Sequence, residues 1–327
     1  MMAFDGGALS FRNRIIGGDF TLNPWQRGTS FTAPASGAYT ADRFVMGHTS
    51  TAVVNIVKAA DAPTVAQAGV FTQHCLHLDI TTADTSIAAG DQFNIQQKLE
   101  GYNAALFGFG QAGTRYVTLS FWVKSTKTGT FCVAFRNNAA NRSYVAEYTV
   151  LASNTWEREV ITIPVDTAGT WTYDNSEGLS VVWTLASGST YQTTAGTWQA
   201  GNFIASANQV NALDSTSNDF KIALVQLEAG PVATAFEARP FGVELALCQR
   251  YYEAGTALVA RNITAASSTI RSSTPFKVTK RAAPTTVTVD FGAVDAFTTL
   301  DRFSCYQSAV AANTDYNPGN FTASAEL

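Results

Sequence analysis

The stretch Tyr116–Lys124 reads YVTLSFWVK, and in it Val117, Leu119, Phe121 and Val123 alternate with Thr118, Ser120, Trp122 and Lys124. Successive side chains of a strand point to opposite faces, so a period of two buries one set and turns the other to water or a partner. The pattern recurs in Phe131, Val133, Phe135, then in Leu179, Val181, Trp183, Leu185, and again in Phe220, Ile222, Leu224. Between these runs stand GQAGT (110–114), STKTGT (125–130), RNNAANRS (136–143) and YDNSEG (173–178). Gly, Asn, Asp and Ser in such clusters are turn chemistry. Short strands punctuated by turns predict a β-sandwich or barrel, paired mostly antiparallel because no helix-length crossover separates them.

One helix is expected, over Phe241–Ala254 (FGVELALCQRYYEA). Pro240 suits its start, Gly255 its stop, and Val243, Leu247, Arg250 and Tyr251 fall on one face. Beyond it, Ser272–Val278 and Thr285–Phe291 read as strands, and YNPGNFTASAEL as a turn at Asn317–Gly319 followed by a closing strand. The resulting division is an arm at 1–12, a first β domain at 13–240, and a helix with a smaller β domain at 241–327. No repeat of 20–50 residues is evident.

Composition narrows the function. Charged residues are only 14% and the net charge is −4, with no run of Lys or Arg, which argues against a nucleic-acid binder. Apolar residues at 46% argue against disorder. No apolar stretch is long enough for a membrane-spanning helix. MMAFDGGALSFRNR lacks the apolar core of a secretory signal, so the expected location is the cytoplasm, or a route out such as lysis. Cys75, Cys132, Cys248 and Cys305 are far apart and read as small apolar residues.

Catalytic patterns are missing: no HExxH, no GxSxG and no phosphate loop occur. His74 and His77, three apart on an expected strand, point to opposite faces and suit one metal poorly. A glycosidase needs two carboxylates about 5–10 Å apart, and spacing alone pairs none of the candidates. The expectation is a protein that is not an enzyme and needs no cofactor. A structural calcium is the exception, through Asp19 in Gly-Gly-Asp and Asp219 in Ser-Asn-Asp, if their strands pair. The alternative is that these carboxylates cap backbone amides.

The aromatic residues are more informative. Trp171 and Tyr173 lie in GTWTYDNSEG, Tyr191 and Trp198 in GSTYQTTAGTWQAG. A ring beside Asn, Gln and Thr can stack on the apolar face of a sugar while the amides bond its hydroxyls. The alternative is that these rings cover a sheet edge or pack between subunits.

RIIGGDFTLNPWQRGTSF (14–31) with YTADRF (39–44) resembles the first strands of a jelly-roll carbohydrate-binding-like domain of phage tail-fibre and related virion proteins. QQKLEG (96–101) and VTLSFWVKSTKTGTFCVAFRN (117–137) resemble its central strands. NDFKIALVQLEAGPVATAFEARPFGVELALCQRYY (218–252) is similar to its closing strands and linker helix. TPFKVTKRAAPTTVTV (274–289) and FTASAEL (321–327) resemble the small β-domain of fibre tips. The resemblance implies an all-β protein, a jelly-roll sandwich followed by a linker helix and a smaller sandwich. It implies a virion adhesin, at a tail-fibre tip or head spike, that binds host surface polysaccharide without catalysis. Other virion proteins would be its neighbours, and the expected state is a homotrimer packed through Val243, Leu247 and Tyr251. The alternative expectation is a capsid decoration or adaptor with no glycan binding. Where the family pattern has an Asn-Gly-Asp turn, this chain has Gly17-Gly18-Asp19, which weakens the case for calcium.

Overall fold

The computed structural model describes residues 11–257, 269–290, 292–308 and 319–327. The chain divides into two compact units at Pro240/Phe241. In chain order the strands of the first are β1 (Ser30–Phe31), β2 (Phe44–His48), β3 (Val53–Ala59), β4 (Cys75–Thr82), β5 (Gln92–Glu100), β6 (Tyr116–Ser125), β7 (Gly129–Arg136), β8 (Arg142–Val150), β9 (Glu157–Pro164), β10 (Glu177–Ser187), β11 (Trp198–Ala200) and β12 (Asp219–Ala229). Two one-turn helices, α1 (Val65–Ala68) and α2 (Gly101–Ala104), lie in the connections. The strands form sheet A, in spatial order β1-β3-β4-β12-β6-β9, and sheet B, in order β11-β8-β7-β10-β5-β2. Each paired ladder is antiparallel.

The alternating residues do what their period requires. Val117, Leu119, Phe121 and Val123 from sheet A meet Phe131, Val133, Phe135, Leu179, Val181, Trp183 and Leu185 from sheet B in one core. Phe121 sets its ring edge-on to both Tyr148 and Trp183, with centroids 5.3 and 5.8 Å away. Sheet-on-sheet packing with alternating inward rows defines a β-sandwich, and the chain is all-β in this sense.

In β12 the alternation breaks. Phe220 and Ile222 point inward, but so do Val225 and Leu227, while Ala223 and Leu224 both belong to a separate cluster with Trp122, Trp156 and Cys75. The register against β6 shifts between Ala223 and Gln226, and Leu224 sits at φ +49°. This is a β-bulge, in which one extra residue moves the following side chains to the other face. Leu224, expected inward, therefore packs on the outer face.

The bulge receives residues 13–18. Arg14 N donates to Leu227 O at 2.8 Å and Val225 N to Gly18 O at 3.0 Å. Asn13 bridges the same strand, donating to Val225 O and accepting from Leu227 N. A Cβ at Gly18 would stand 2.3 Å from Val225 O, so only glycine allows this approach. Arg239, at the far end of the unit, donates to the carbonyls of Asn13 and Ile15. The resemblance placed strands in 14–31, yet only Ser30–Phe31 is a strand. The rest is irregular because its hydrogen bonds go to the bulge and to the side chain of Gln97, which pairs with both N and O of Ile16 at 2.8 Å.

The second unit opens with α3 (Phe241–Gln249), followed by β13 (Tyr252–Ala257), β14 (Thr269–Pro275), β15 (Thr286–Val289), β16 (Ala293–Thr298), β17 (Arg302–Ser308) and β18 (Gly319–Ser324). They form two three-stranded sheets, β13-β18-β15 and β14-β17-β16. Phe303 and Cys305 of one share a core with Ala257, Phe321 and Ala323 of the other, joined by Phe276, so this is a smaller sandwich. The helix stops five residues short of its expected end. Tyr252–Ala257 finds a full ladder on β18 instead, which satisfies its backbone better than an isolated last turn would. Gly255 is mid-strand, where a Cβ would stand 2.9 Å from the Phe321 ring. Tyr251 is fully buried within the chain, so it cannot face another copy, whereas Val243 and Leu247 are half-buried. The turn expected at Asn317–Gly319 lies almost wholly outside the described residues.

Candidate functional site

The outer face of sheet B is crossed by the chain on its way from β10 to β12. Ile204 and Ala205 cover Cys132, Ala134, Val145 and Val182, the outward residues of β7, β8 and β10. Polar side chains fix this crossing. Thr184 Oγ1 donates to Ile204 O at 2.7 Å. Gln209 accepts from Cys132 N at 2.7 Å and donates to Val210 O at 2.9 Å. Gln192 and Ala205 form a parallel bridge, joining two passes of the crossing.

Those two passes and β8 border a shallow, open cleft of about 620 Å³. Its lining is Glu147, Ser189, Gln192, Thr193, Thr194, Ala195, Ser206, Ala207 and Asn208. The size lies within the range of small-molecule sites. Hydroxyl and amide side chains both donate and accept, as sugar hydroxyls do, and carry no charge. Asn208 Nδ2 donates to Glu147 Oε1 at 3.0 Å, which orients both groups. Glu147 is the one carboxylate in the lining, so the two-carboxylate arrangement of a glycosidase is not present among the lining residues.

The four rings singled out in the sequence do not converge here. Trp171 is 7% exposed and belongs to the main core. It stacks on Phe109 at 4.3 Å and meets Trp198 edge-on at 5.5 Å. Trp198 is also edge-on to Tyr144 and Phe109, and its Nε1 donates to Pro164 O at 2.8 Å. Together these rings plug one end of the sandwich. Gly110 makes room for them: it has φ +73°, and a Cβ there would sit 3.0 Å from Trp171 Cδ1. The loop carrying Trp171 is anchored by Arg142, which grips Asp166 with two bonds of 2.7 Å. Trp171 is thus internal, correcting its expected role as a sugar platform, because Phe109 stacks on its face; Trp198 is half-buried, held edge-on by Phe109, Tyr144 and Trp171. Tyr173 is 37% exposed beside this plug. Tyr191 alone adjoins the cleft, half-buried against the covered face of sheet B between the lining residues Ser189 and Gln192.

Asp19 and Asp219 are each engaged by protein donors. Asp19 accepts from Thr21 N at 3.0 Å and Thr72 Oγ1 at 3.3 Å, a turn cap. Burial pushes its carboxyl up, which these bonds partly offset. Asp219 accepts from Thr126 N at 3.2 Å and Lys221 Nζ at 3.0 Å, and lies 3.5 Å from His77 Nε2. Burial opposes its ionisation, but the bonds from His77 and Lys221 and the charge of Lys221 win and hold it down to about 2. Among the described residues, no three His, Cys, Asp or Glu gather as a metal cage, and Asp219 pairs across strands with Asp79 rather than Asp19. All four cysteines are buried as thiols outside any disulfide; burial, aided by Asp61, pushes the Cys75 thiol up to about 12.

No protein-family model matches the sequence, and no curated protein matches it. Several solved structures resemble the fold. The enzymatically active domain of tailspike protein 4 of bacteriophage CBA120 is 13% identical, with a TM-score of 0.36, over 67% of this chain and 21% of that one. This chain therefore spans about a fifth of that tailspike's length. The family 11 carbohydrate-binding module of a cellulosomal cellulase of Clostridium thermocellum is 11% identical, with a TM-score of 0.31, over 63% of this chain and 98% of the module. A CBM4 structure is 12% identical, with a TM-score of 0.32, over 61% of this chain and 94% of its own.

Proposed function

We propose that the first unit binds a neutral saccharide, without catalysis, in the cleft over sheet B. The observation that carries the reading is the lining itself. Ser189, Thr193 and Thr194 offer uncharged hydroxyls, and Gln192 and Asn208, each with one amide hydrogen bonded to Ser187 O and Glu147 respectively, add their remaining donors and acceptors, with Ala195 and Ala207 leaving room between them. Such a surface competes with water for sugar hydroxyls at little desolvation cost, since no full charge must be stripped except on Glu147. A single carboxylate supports binding over hydrolysis.

The setting is supplied by the sequence. The 218–252 block and the Trp-Gln-Arg-Gly stretch at 25–28 support a phage virion adhesin that meets host surface polysaccharide, alongside other virion proteins. Several copies, three in the resembling proteins, would turn weak clefts into firm attachment through effective concentration alone.

The test is binding of the full chain to an array of neutral oligosaccharides and to whole host-range bacterial cells. Saturable binding that falls at least about tenfold in Gln192→Ala and Asn208→Ala, with no release of reducing ends, is the expected result, since each substitution removes a hydrogen-bonding group. Binding that both substitutions leave intact, or no glycan binding at all, overturns the reading.

A further inference from the structure

The cleft over sheet B contains one charged group, and the surrounding chain holds it in place. Glu147 stands on the outer face of β8, directly across the ladder from Cys132. Its Oε1 accepts from Asn208 Nδ2 at 3.0 Å. Asn208 is itself fixed. Its backbone N donates to Ser206 Oγ at 3.1 Å, and Ser206 N donates to the buried Cys132 Sγ at 3.3 Å. The next residue, Gln209, accepts from Cys132 N at 2.7 Å. The turn that carries Asn208 is therefore tied twice to β7, and the carboxylate that it orients is preorganised at the cleft surface.

That carboxylate is exposed, and no Lys, Arg or His stands among the residues lining the cleft. The cations of β7 and β8 sit at the Arg136↔Ser143 end of their ladder and are bound there, Arg136 to Asn202 and Gln96, and Arg142 to Asp166. The charge of Glu147 is felt beneath the cleft. Burial pushes the Cys132 thiol up, and Glu147 adds to the rise, against the bonds from Ser206. An ionised carboxylate only accepts hydrogen bonds. With Oε1 engaged by Asn208, Oε2 calls for a donor from the ligand. A sugar hydroxyl supplies a donor alone. A protonated amine supplies a donor and the opposite charge, whereas a uronate brings like charge to a lining with no cation to receive it.

We infer that Glu147 determines the specificity of the cleft: among saccharides of one backbone it selects a unit bearing a protonated primary amine, an N-unacetylated amino sugar, and rejects a uronate. This rests on the saccharide reading of the cleft and deepens it. The hydroxyl and amide groups of the lining hold the ring hydroxyls common to all such sugars, and Glu147 sorts the sugars by charge.

The experiment is calorimetric titration of the full chain with three trimers that share a β-1,4-linked glucose-type backbone: cellotriose, the glucosamine trimer and triglucuronate. At low salt the glucosamine trimer should bind about fivefold more tightly than cellotriose, the upper range of an exposed ion pair, and triglucuronate more weakly than either. The advantage should shrink in about 0.5 M salt, which screens exposed charges. Glu147→Gln should abolish it and leave cellotriose affinity unchanged, since the amide keeps an oxygen for Asn208. Glu147 is an exposed strand residue, so its variant keeps the fold, which an unaltered melting midpoint verifies. Equal affinity for the amine and cellotriose, triglucuronate binding as tightly as cellotriose, or an amine preference that survives Glu147→Gln overturns the inference. If the glucosamine trimer fails to bind while neutral saccharides still bind, only this specificity falls; if no saccharide binds, the cleft reading falls with it.

Discussion

The Trp171 plug and the Thr193–Asn208 cleft arise from similar sequence, aromatic and amide residues strung between turns, but they end in opposite environments. In GTWTYDNSEG the indole went inside, onto Phe109, and the polar neighbours stayed at the rim. In GSTYQTTAGTWQAG the tryptophan is half-buried against the core, while Gln192, Thr193 and Thr194 line the cleft, Gln192 donating to Ser187 O at 2.8 Å. The difference lies in what comes to cover each segment. A ring gains by burial in proportion to its apolar area, whereas an amide gains nothing unless a partner waits for it. The plug is thus a stability element, and the cleft is the region free to act.

The strongest way to break this contrast is Trp171→Ala. A buried tryptophan truncated to alanine should cost about 3–5 kcal/mol, read as a drop in the denaturation midpoint, while the folded fraction keeps its sugar affinity. Loss of affinity without loss of stability would make the plug part of the binding surface after all. Acid supplies a baseline for the frame that both regions share. Asp219 on sheet A has a folded value of about 2, below its ordinary 3.8, so it contributes stability above pH 4 that disappears as pH falls toward 2. The loss should reach up to about 2 kcal/mol, and Asp219→Asn should remove that part of the acid sensitivity in melting curves run from pH 7 to 2.5. In the cleft the expected pattern is reversed: the paired substitution of Gln192 and Asn208 by alanine should lower sugar affinity at least about tenfold while stability falls by only about 1–2 kcal/mol, the worth of the two hydrogen bonds to Ser187 O and Glu147. The smallest effect is at Tyr148, whose hydroxyl is buried in the core with no hydrogen-bond partner among the described residues. Tyr148→Phe should leave stability within a few tenths of a kcal/mol or raise it slightly, because it removes an unpaired polar group.

The sandwich was legible because its signal is local. Val117 through Val123 and Leu179 through Leu185 carry their facing in their own spacing. The bulge at Leu224 was not legible, since it depends on how β12 meets β6 and residues 13–18. The end of α3 was misjudged for a similar reason: the ladder that claims Tyr252–Ala257 lies on β18, more than sixty residues later. Of the candidate site, only Tyr191 pointed near the cleft. Glu147, Gln192 and Asn208 come together through the crossing over sheet B, and no spacing in the sequence brings them into one pattern. The motifs that carried the family resemblance turn out to be joints. Asn23 and Asp42 lock the NPWQRG turn to TADRF, with Arg27 on Asp42 at 3.2 Å, and Arg239 fastens the 218–252 block to residues 13–15.

That last joint has a bearing on how the protein is made. β12 is flanked by β4 and β6 in the middle of sheet A, and Arg239 reaches Asn13 across 226 positions of chain. A nascent chain on the ribosome can pair β3 with β4 or β7 with β8 early, but it cannot close sheet A until nearly the whole domain has emerged from the exit tunnel. Until then the edges of β4 and β6 stand bare, an interval in which translation speed and chaperones govern the yield of folded molecules.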